Sequence, residues 1–143
     1  MNLAENQFKL TATLLKRYKQ FCKIDDNTKR FKRIIELGKK LEPYLDEFRT
    51  ENHQVKGCAS LTYINGELKD GLMQYTGDSN SHLVKGLVAL LVEGFSGYTP
   101  NEVIEVNPAF IEDMGLSQTL TASRANGFMN TYQMMMDIAS RYI

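Results

Sequence analysis

The chain has 143 residues and no formal net charge, with 43% hydrophobic and 24% charged residues. Such a length suits one domain whose core needs neither disulfides nor metal, and the composition excludes disordered and fibrous proteins. No apolar run approaches the roughly 20 residues that span a bilayer, and the first residues, MNLAENQFKL, lack the basic and apolar regions of a secretory signal. We therefore expect a single domain over residues 1–143 and a cytoplasmic protein that does not enter the membrane.

Charge is distributed unevenly along the chain. Residues 1–50 carry twelve Lys/Arg against seven Asp/Glu, whereas residues 51–143 carry five against ten. Basic stretches such as KRYKQFCK could bind nucleic acid, because Lys and Arg release counterions from phosphates. Their spacing is also that of the outer face of an amphipathic helix, which is polar whatever the function. We expect the second explanation to hold, and hence no nucleic-acid partner.

Helical periodicity marks the first 50 residues. The apolar positions of the first predicted helix, over residues 8–21, are Phe8, Leu14, Leu15, Tyr18 and Phe21. A second helix is predicted after the capping candidates Asp25 and Asp26, and Pro43 ends or bends it. The stretch PYLDEFR then predicts one short turn.

The pattern changes to a period of two from Ser60, which predicts a β-hairpin. The alternating residues are Leu61, Tyr63, Leu68, Leu72 and Tyr75. Two pairs of turn formers, Asn65-Gly66 and Asp70-Gly71, lie among them. Either pair could form the turn.

Helices are predicted again in the second half of the chain. The stretch LVKGLVALLVEGF is apolar on nearly every side, so its helix should lie in the centre of the domain. Its capping candidates are Asp78, Ser79 and Ser81. TPNE at 99–102 matches a capping box led by Thr99, and VIEV after it predicts an extended segment.

Two more helices complete the prediction. NPAFIEDMG indicates a short helix between Asn107-Pro108 and Gly115, and a last helix runs from about Ser123 to Tyr142. The last helix offers its core-facing residues Phe128, Tyr132, Met135, Met136 and Ile138. We therefore predict an α+β fold with helices packed on a small antiparallel sheet.

Few motifs of known chemistry occur in the chain. It contains no Gly-rich phosphate loop and no Cys-x-x-Cys pair, and its two histidines, His53 and His82, lie far apart. A structural zinc site would have to use both histidines and both cysteines at an unusual spacing. We therefore expect no bound metal.

The two cysteines lie in different contexts. Cys22, in RYKQFCKI, is interpreted as a small buried hydrophobic residue. Cys58, in QVKGCASLTY, follows Gly57, which allows unusual backbone conformations and close approach, and Lys56 is a cation that would favour its thiolate. Cys58 could be a nucleophile, or it could be a packing residue at the start of a strand. A cysteine hydrolase would also need His53 or His82 beside it.

Several motifs occur in the order found in one known family. IIELG, the GC of VKGCASLTY, GDSNSHLVKGL and LSQTLTASRANG resemble the SufE-type sulfur-acceptor proteins of iron-sulfur cluster assembly. The chain differs from that family at Tyr63, where Trp is common, and at Ala122, where Pro is common. The cysteine, the glycine before it and Arg124 of TASRANG match the family pattern.

The resemblance implies a carrier of sulfur, not an enzyme. A SufS-type cysteine desulfurase, which holds its own pyridoxal phosphate, would donate persulfide sulfur to Cys58 and would be stimulated by the carrier. The sulfur would then pass to a SufBCD-type scaffold complex. This chain would need no cofactor. The implied fold is also that of IscU-type scaffolds, so a scaffold-like binding protein is one alternative, and a cysteine-dependent hydrolase is another.

The resemblance also suggests roles for the neighbours of Cys58. Gly57 would let the loop swing towards a partner, and the alternating strand and an apolar cavity would shelter the sulfur at rest. Arg124 would stabilise a sulfur anion or contact the partner, although it could instead pair with a surface carboxylate. Lys56 would support the thiolate or the partner contact.

Overall fold

The computed structural model describes residues 9–143, apart from the side chains of residues 117 and 118. The helices are α1 (Ala12–Cys22), α2 (Asn27–Lys39), α3 (His82–Phe95), α4 (Pro100–Ile104), α5 (Phe110–Asp113), α6 (Leu116–Thr119) and α7 (Ala122–Ser140). Two strands, β1 (Thr62–Lys69) and β2 (Leu72–Ser79), follow two 3₁₀ turns at Asp46–Phe48 and Glu51–His53. The predicted α+β class is confirmed. Within residues 9–143 no helix combines the length and apolarity needed to cross a membrane.

The two strands form the predicted antiparallel hairpin. Its turn is Asp70-Gly71, where both residues have positive φ, 54° and 80°. A two-residue loop of this kind matches the right-handed twist of the strands. The other pair, Asn65-Gly66, lies inside β1, with Gly66 opposite Tyr75. The choice that the sequence left open is therefore Asp70-Gly71.

Both outer edges of the hairpin carry one bridge from a flanking segment. On the β1 side, Gln54 pairs with Tyr63, and the Val55 N–H donates to the Thr62 carbonyl at 2.8 Å. On the β2 side, the Met73 N–H donates to the Tyr98 carbonyl at 2.7 Å. Each strand is thus joined on its far side by a short piece of the same chain.

Helix α3 lies in the centre of the domain, as predicted. Ten of its fourteen residues are buried, which leaves almost no solvent-facing side. Helix α2 crosses it so closely that a Cβ on Gly86 would overlap the Ile34 carbonyl oxygen. Ser81 caps α3, accepting from the Val84 N–H, whereas Asp78 and Ser79 belong to β2. Of the three capping candidates, Ser81 is therefore the cap.

The N-terminal helices agree with the prediction in kind and differ at their ends. Helix α1 begins after the cap Thr11, and Phe8 lies outside the described residues. Asp26 caps α2, which ends at Lys39, four residues before Pro43. The turn predicted in PYLDEFR is the 3₁₀ turn Asp46–Phe48.

The C-terminal half contains one wrong prediction. The capping box of Thr99 and Glu102 is confirmed, but the helix it starts continues through Ile104, so VIEV forms no extended strand. Gly115 has φ 80° and ends α5. All five core residues predicted for the last helix are buried on α7, namely Phe128, Tyr132, Met135, Met136 and Ile138.

Candidate functional site

Cys58 lies in a short closed loop between the second 3₁₀ turn and β1. We call residues 55–62 the cysteine loop. Its two ends meet in the hydrogen bond from the Val55 N–H to the Thr62 carbonyl, and Val55 is buried in the core. Near its end, Leu61 and Asn80 exchange two hydrogen bonds of 3.0 Å, one from each backbone N–H. The base of the loop is therefore fixed to the hairpin.

Gly57 brings the tip of the loop against α7. It has φ 73°, a left-handed conformation that favours glycine. The Asn130 side-chain amide donates to its carbonyl oxygen at 3.2 Å, and a Cβ on Gly57 would lie 2.5 Å from the same Asn130 nitrogen. The backbone conformation therefore favours glycine before the cysteine, and a side chain at this position would displace the Asn130 amide.

The Cys58 sulfur is held between α7 and the start of β1. A Cβ on Gly127 would lie 3.0 Å from Sγ, so the absence of a side chain there makes room for the thiol. On the other side, Sγ lies 3.5 Å from the Thr62 hydroxyl. The residue is half-buried. The thiol is thus covered by the protein on two sides, in a residue that remains partly exposed.

Thr62 connects the sulfur to a buried pair of hydroxyls. Its side chain is fully buried, and Oγ1 lies 3.0 Å from Ser79 Oγ and 3.3 Å from the Ser60 carbonyl. The Ser81 N–H donates to Ser79 Oγ at 3.3 Å. Thr62, Gly127 and Asn130 were not predicted from the sequence. Thr62 and Gly127 lie within the motifs VKGCASLTY and LSQTLTASRANG, but neither motif by itself indicates a contact with the sulfur. The hairpin register places Thr62 opposite Ser79.

The two cations predicted to support Cys58 are both exposed. Lys56 pairs with Glu51 at 3.6 Å. Arg124 lies one helical turn before Gly127, on the α7 face that meets the cysteine loop, and its backbone N–H donates to the capping hydroxyl of Thr121. Within residues 9–143, neither cation has a hydrogen bond to Cys58. Helical spacing thus puts Arg124 on the same side of the molecule as the thiol, without a hydrogen bond to it among the described residues.

The histidines and the second cysteine do not join this site. His53 lies 2.8 Å from the Thr50 hydroxyl, and His82 is exposed at the first position of α3. Cys22 is not the buried residue that was predicted, because it is exposed at the end of α1. Its sulfur donates to the Asp113 carbonyl at 3.4 Å. Partial burial raises the pKa of this thiol, against a hydrogen bond from Tyr18 that lowers it.

A cluster of charged and aromatic side chains fixes the segment that leads into the loop. The Arg49 guanidinium lies over the Tyr44 ring at 5.2 Å and the Tyr63 ring at 5.9 Å, and it donates to Asp78 at 2.8 Å. Burial would raise the pKa of Asp78, but hydrogen bonds from Arg49 and the Ser79 backbone, together with the charges of Lys85 and Arg49, lower it below its ordinary value. The cluster therefore holds residues 44–49 against the first residues of β1.

Comparison of the sequence with known protein families shows which family this chain belongs to. The family described as "SufE: Fe-S metabolism associated domain" matches residues 16–139. The chain belongs to the SufE family. The resemblance inferred from the motifs is thereby confirmed.

The SufE relatives differ in length. An uncharacterized SufE-like protein of Synechocystis is 46% identical over 134 residues, covering 94% of this chain and 84% of the relative. The cysteine desulfuration protein SufE of Plasmodium falciparum is 34% identical over 131 residues, covering 87% of this chain and 53% of the relative. SufE-like protein 1, chloroplastic/mitochondrial, of Arabidopsis thaliana is 34% identical over 118 residues, covering 82% of this chain and 32% of the relative. This chain thus spans about half of the Plasmodium relative and a third of the Arabidopsis one.

A solved structure shares the fold of this SufE-family chain. The solution structure of a hypothetical protein from Thermus thermophilus superimposes with a TM-score of 0.80, at 21% identity, and the match covers 92% of this chain and 96% of that one. At that identity the likeness concerns the fold alone.

A groove on the surface lies away from the Cys58 thiol. A groove of about 720 Å³ runs between α2, the hairpin and α3, and residues such as Lys40, Gln74 and Glu93 line it. It contains none of Lys56, Gly57, Cys58 and Arg124. Within the described residues, no three His, Cys, Asp or Glu side chains are grouped so that they could hold a metal ion. The predicted apolar cavity beside Cys58 is therefore not this groove, and contact with Gly127 covers the sulfur instead.

Proposed function

We propose that this SufE-family protein accepts sulfur from a cysteine desulfurase on Cys58 and passes it on for iron-sulfur cluster assembly. The family description concerns Fe-S metabolism, and two relatives from Plasmodium are named cysteine desulfuration proteins. The observation that carries the proposal is the half-buried Cys58 thiol at the tip of a closed loop, between Gly127 and Thr62.

The chemistry is an exchange between a thiolate and a persulfide. The Cys58 thiol first loses its proton to solvent. Its sulfur then attacks the outer sulfur of the persulfide on the desulfurase, and a new sulfur-sulfur bond forms as the old one breaks. The electron pair of the broken bond leaves with the cysteine of the desulfurase as a thiolate. No other oxidant or reductant is needed, and the partner's pyridoxal phosphate acts only before this step.

The loop geometry suits a carrier that exposes its sulfur only to a partner. A persulfide reacts readily with oxidants and stray thiols, so cover by Gly127 and Thr62 would protect it at rest. To present the sulfur, the tip of the loop must leave α7 and lose the hydrogen bond from Asn130 to Gly57. Such a neutral hydrogen bond contributes only about 0.5–1.5 kcal/mol. Docking of a partner could readily offset that loss.

Arg124 and Lys56 would act on the partner side of the exchange. Both are exposed cations on the side of the molecule where the cysteine loop meets α7. A cation there would attract the negatively charged persulfide or an acidic surface around it. Arg124, with no described ion pair of its own within residues 9–143, is better placed for this than Lys56, which pairs with Glu51.

The alternatives gain no support from the described residues. A cysteine hydrolase needs a base beside the nucleophile, whereas His53 is hydrogen-bonded to Thr50 and His82 lies at the start of α3. A cluster scaffold needs several ligands around one point, and the only other cysteine, Cys22, contacts Asp113. A cytoplasmic location, a SufBCD-type acceptor of the sulfur and the absence of a cofactor remain predictions.

The test is direct detection of the transferred sulfur. The protein is incubated with a SufS-type desulfurase and free cysteine, and the intact mass is measured without reductant. Wild type and Cys22→Ser should each gain roughly 32 Da, one sulfur atom, and Cys58→Ser should gain nothing. The same Cys58→Ser change should abolish stimulation of the desulfurase. An equal gain in the Cys58→Ser variant, or none in wild type, would contradict the proposal.

A further inference from the structure

The Thr62 hydroxyl is the one hydrogen-bonding partner of Cys58 Sγ in the part of the chain that the structure describes. Thr62 is 0% exposed, so water does not compete for its hydroxyl. Besides the sulfur at 3.5 Å, the hydroxyl is close to Ser79 Oγ at 3.0 Å and the Ser60 carbonyl at 3.3 Å. This arrangement gives one proton three possible acceptors.

The hydroxyl pair can satisfy the sulfur in both of its protonation states. When Cys58 is a thiol, its S–H donates to Thr62, whose own proton goes to Ser79 or to the Ser60 carbonyl. When Cys58 is a thiolate, Thr62 must turn its proton to the sulfur. Ser79 accepts from the Ser81 N–H and keeps a proton that it can then donate to Thr62. Neither state leaves a buried hydroxyl without a partner.

We propose that Thr62 donates a hydrogen bond to the attacking Cys58 thiolate, and that Ser79 is a positioning residue that acts through Thr62. The inference rests on the proposed sulfur-acceptor function and adds a second residue to its chemistry. During the attack the Cys58 sulfur changes from an anion into a neutral member of a sulfur-sulfur bond. The hydrogen bond is therefore strong before the attack and weak after it.

Such a donor has opposite effects on the two factors that set the reaction rate. It increases the fraction of thiolate, but it lowers the nucleophilicity of each thiolate by only about half as much on a logarithmic scale. The net effect is faster reaction at a pH where the thiol form predominates. At a pH where all the thiol is ionised, the same donor slows the reaction. The pH-rate profile of a variant without the Thr62 hydroxyl should therefore cross the profile of wild type.

Charged groups near the site act equally on wild type and on a neutral variant. They are Lys56 and Glu51 beside the loop, His53 before it, Arg124 on α7, Asp78 and Arg49 at the base of the hairpin and Lys85 on α3. Thr62→Val keeps the shape of the side chain and changes none of these charges. A crossing of the profiles can therefore be assigned to the hydroxyl.

The experiment measures alkylation of Cys58 by iodoacetamide between about pH 5.5 and pH 10, all in a Cys22→Ser background so that one thiol reacts. We expect Thr62→Val to react about two- to fivefold more slowly at the acidic end and at least as fast at the alkaline end. Thr62→Ser should restore the wild-type profile. Thr76→Val, an equivalent change on β2 in a residue paired with Asn65, should leave it unchanged.

Two results would overturn the inference. One is an unchanged profile in Thr62→Val, and the other is a change by the same factor at every pH, which would indicate altered access to the thiol. If Thr62→Val does not fold, Ser79→Ala takes its place. We expect its alkylation to be slower at the acidic end and at least as fast at the alkaline end, by smaller factors than for Thr62→Val. Because alkylation needs no desulfurase, a failure of sulfur uptake by wild type rejects the proposed function separately.

Discussion

Gly127 of α7 lies directly against the Cys58 sulfur, which is so close that a Cβ on the glycine would be 3.0 Å from Sγ. The two residues are far apart in sequence, and Gly127 is buried while Cys58 is half-buried. Glycine inside a helix usually weakens it, by about 0.5–1 kcal/mol relative to alanine. Here the loss of helix stability accompanies a close fit between α7 and the reactive thiol.

Gly127→Ala should displace the cysteine loop from α7. We expect alkylation of Cys58 to become severalfold faster, because the added methyl group pushes the sulfur towards solvent. The usual gain of about 0.5–1 kcal/mol from alanine should be reduced or reversed. Alkylation rates and urea unfolding measure both effects. Asn126→Ala, an exposed position on the same helix, is the control, and it should leave alkylation unchanged. A more stable Gly127→Ala protein with wild-type alkylation would refute the close fit.

Gly57→Ala should destabilise the protein more than Gly71→Ala. Both glycines have positive φ, 73° and 80°. Backbone strain should therefore lower the free energy of unfolding of each alanine variant by about 1–2 kcal/mol. Only at Gly57 does a Cβ also meet a neighbour, the Asn130 amide nitrogen at 2.5 Å, whereas nothing lies within 4 Å at Gly71. Urea unfolding should show the extra loss. Combining Gly57→Ala with Asn130→Ala should remove it, and equal losses in the two single variants would contradict the contact.

Arg124→Ala should slow sulfur transfer without changing the thiol itself. The side chain is exposed, so we expect uptake of sulfur from the desulfurase to fall severalfold while alkylation of Cys58 by a neutral reagent stays the same. The effect should diminish at high salt, because exposed charges are screened. Arg141→Ala, at the other end of α7, is the matched control and should behave as wild type. Similar uptake by both variants would rule out the proposed role of Arg124.

The ion pairs of Asp78 with Arg49 and Lys85 should make the stability of the folded protein depend on pH. The pKa of Asp78 in the folded protein lies below its ordinary value of 3.8, so the unfolded chain takes up the proton first as pH falls. The stabilisation is complete above that ordinary value and is lost as pH falls through the folded pKa. Asp78→Asn should therefore differ most from wild type near about pH 6, and the difference should be smaller near about pH 3, below the ordinary value. Urea unfolding at both pH values tests this.

Asp137→Asn provides the comparison for that measurement. Asp137 is exposed on α7 and accepts a hydrogen bond from Gln133 only four residues away. Its variant should differ little from wild type at either pH. A wild-type stability that does not decrease relative to Asp78→Asn on acidification would contradict the role of the Arg49 and Lys85 partners.

Local signals in the sequence were sufficient for most of the fold. The capping box at Thr99 and the apolar stretch of α3 act within a few residues of one another, so their patterns can be read directly. The turn formers predicted the hairpin in the same way, but they did not decide between Asn65-Gly66 and Asp70-Gly71. VIEV was misread for the same reason. Its β-branched residues favour a strand, but the capping box already starts a helix that runs into it.

The site could be predicted only where a motif marked it. Cys58, Gly57 and Arg124 were named as candidates through their neighbours and the SufE resemblance. The contacts of Gly127, Asn130 and Thr62 could not be predicted, even though two of these residues lie within the motifs, because the contacts form only when α7 and the hairpin pack around the loop. The contact between Asn130 and Gly57, for example, joins residues 73 positions apart. No local pattern distinguishes that asparagine from any other exposed polar residue on a helix.

The bridges on the two outer edges of the hairpin have a consequence for solubility. A two-stranded sheet has two edges, each able to pair with a strand from another molecule. Here Gln54 and Val55 occupy the start of the β1 edge, and Tyr98 pairs with Met73 on the β2 edge. A foreign strand would first have to displace these segments. The chain segment that carries the reactive cysteine therefore also protects its own sheet against aggregation.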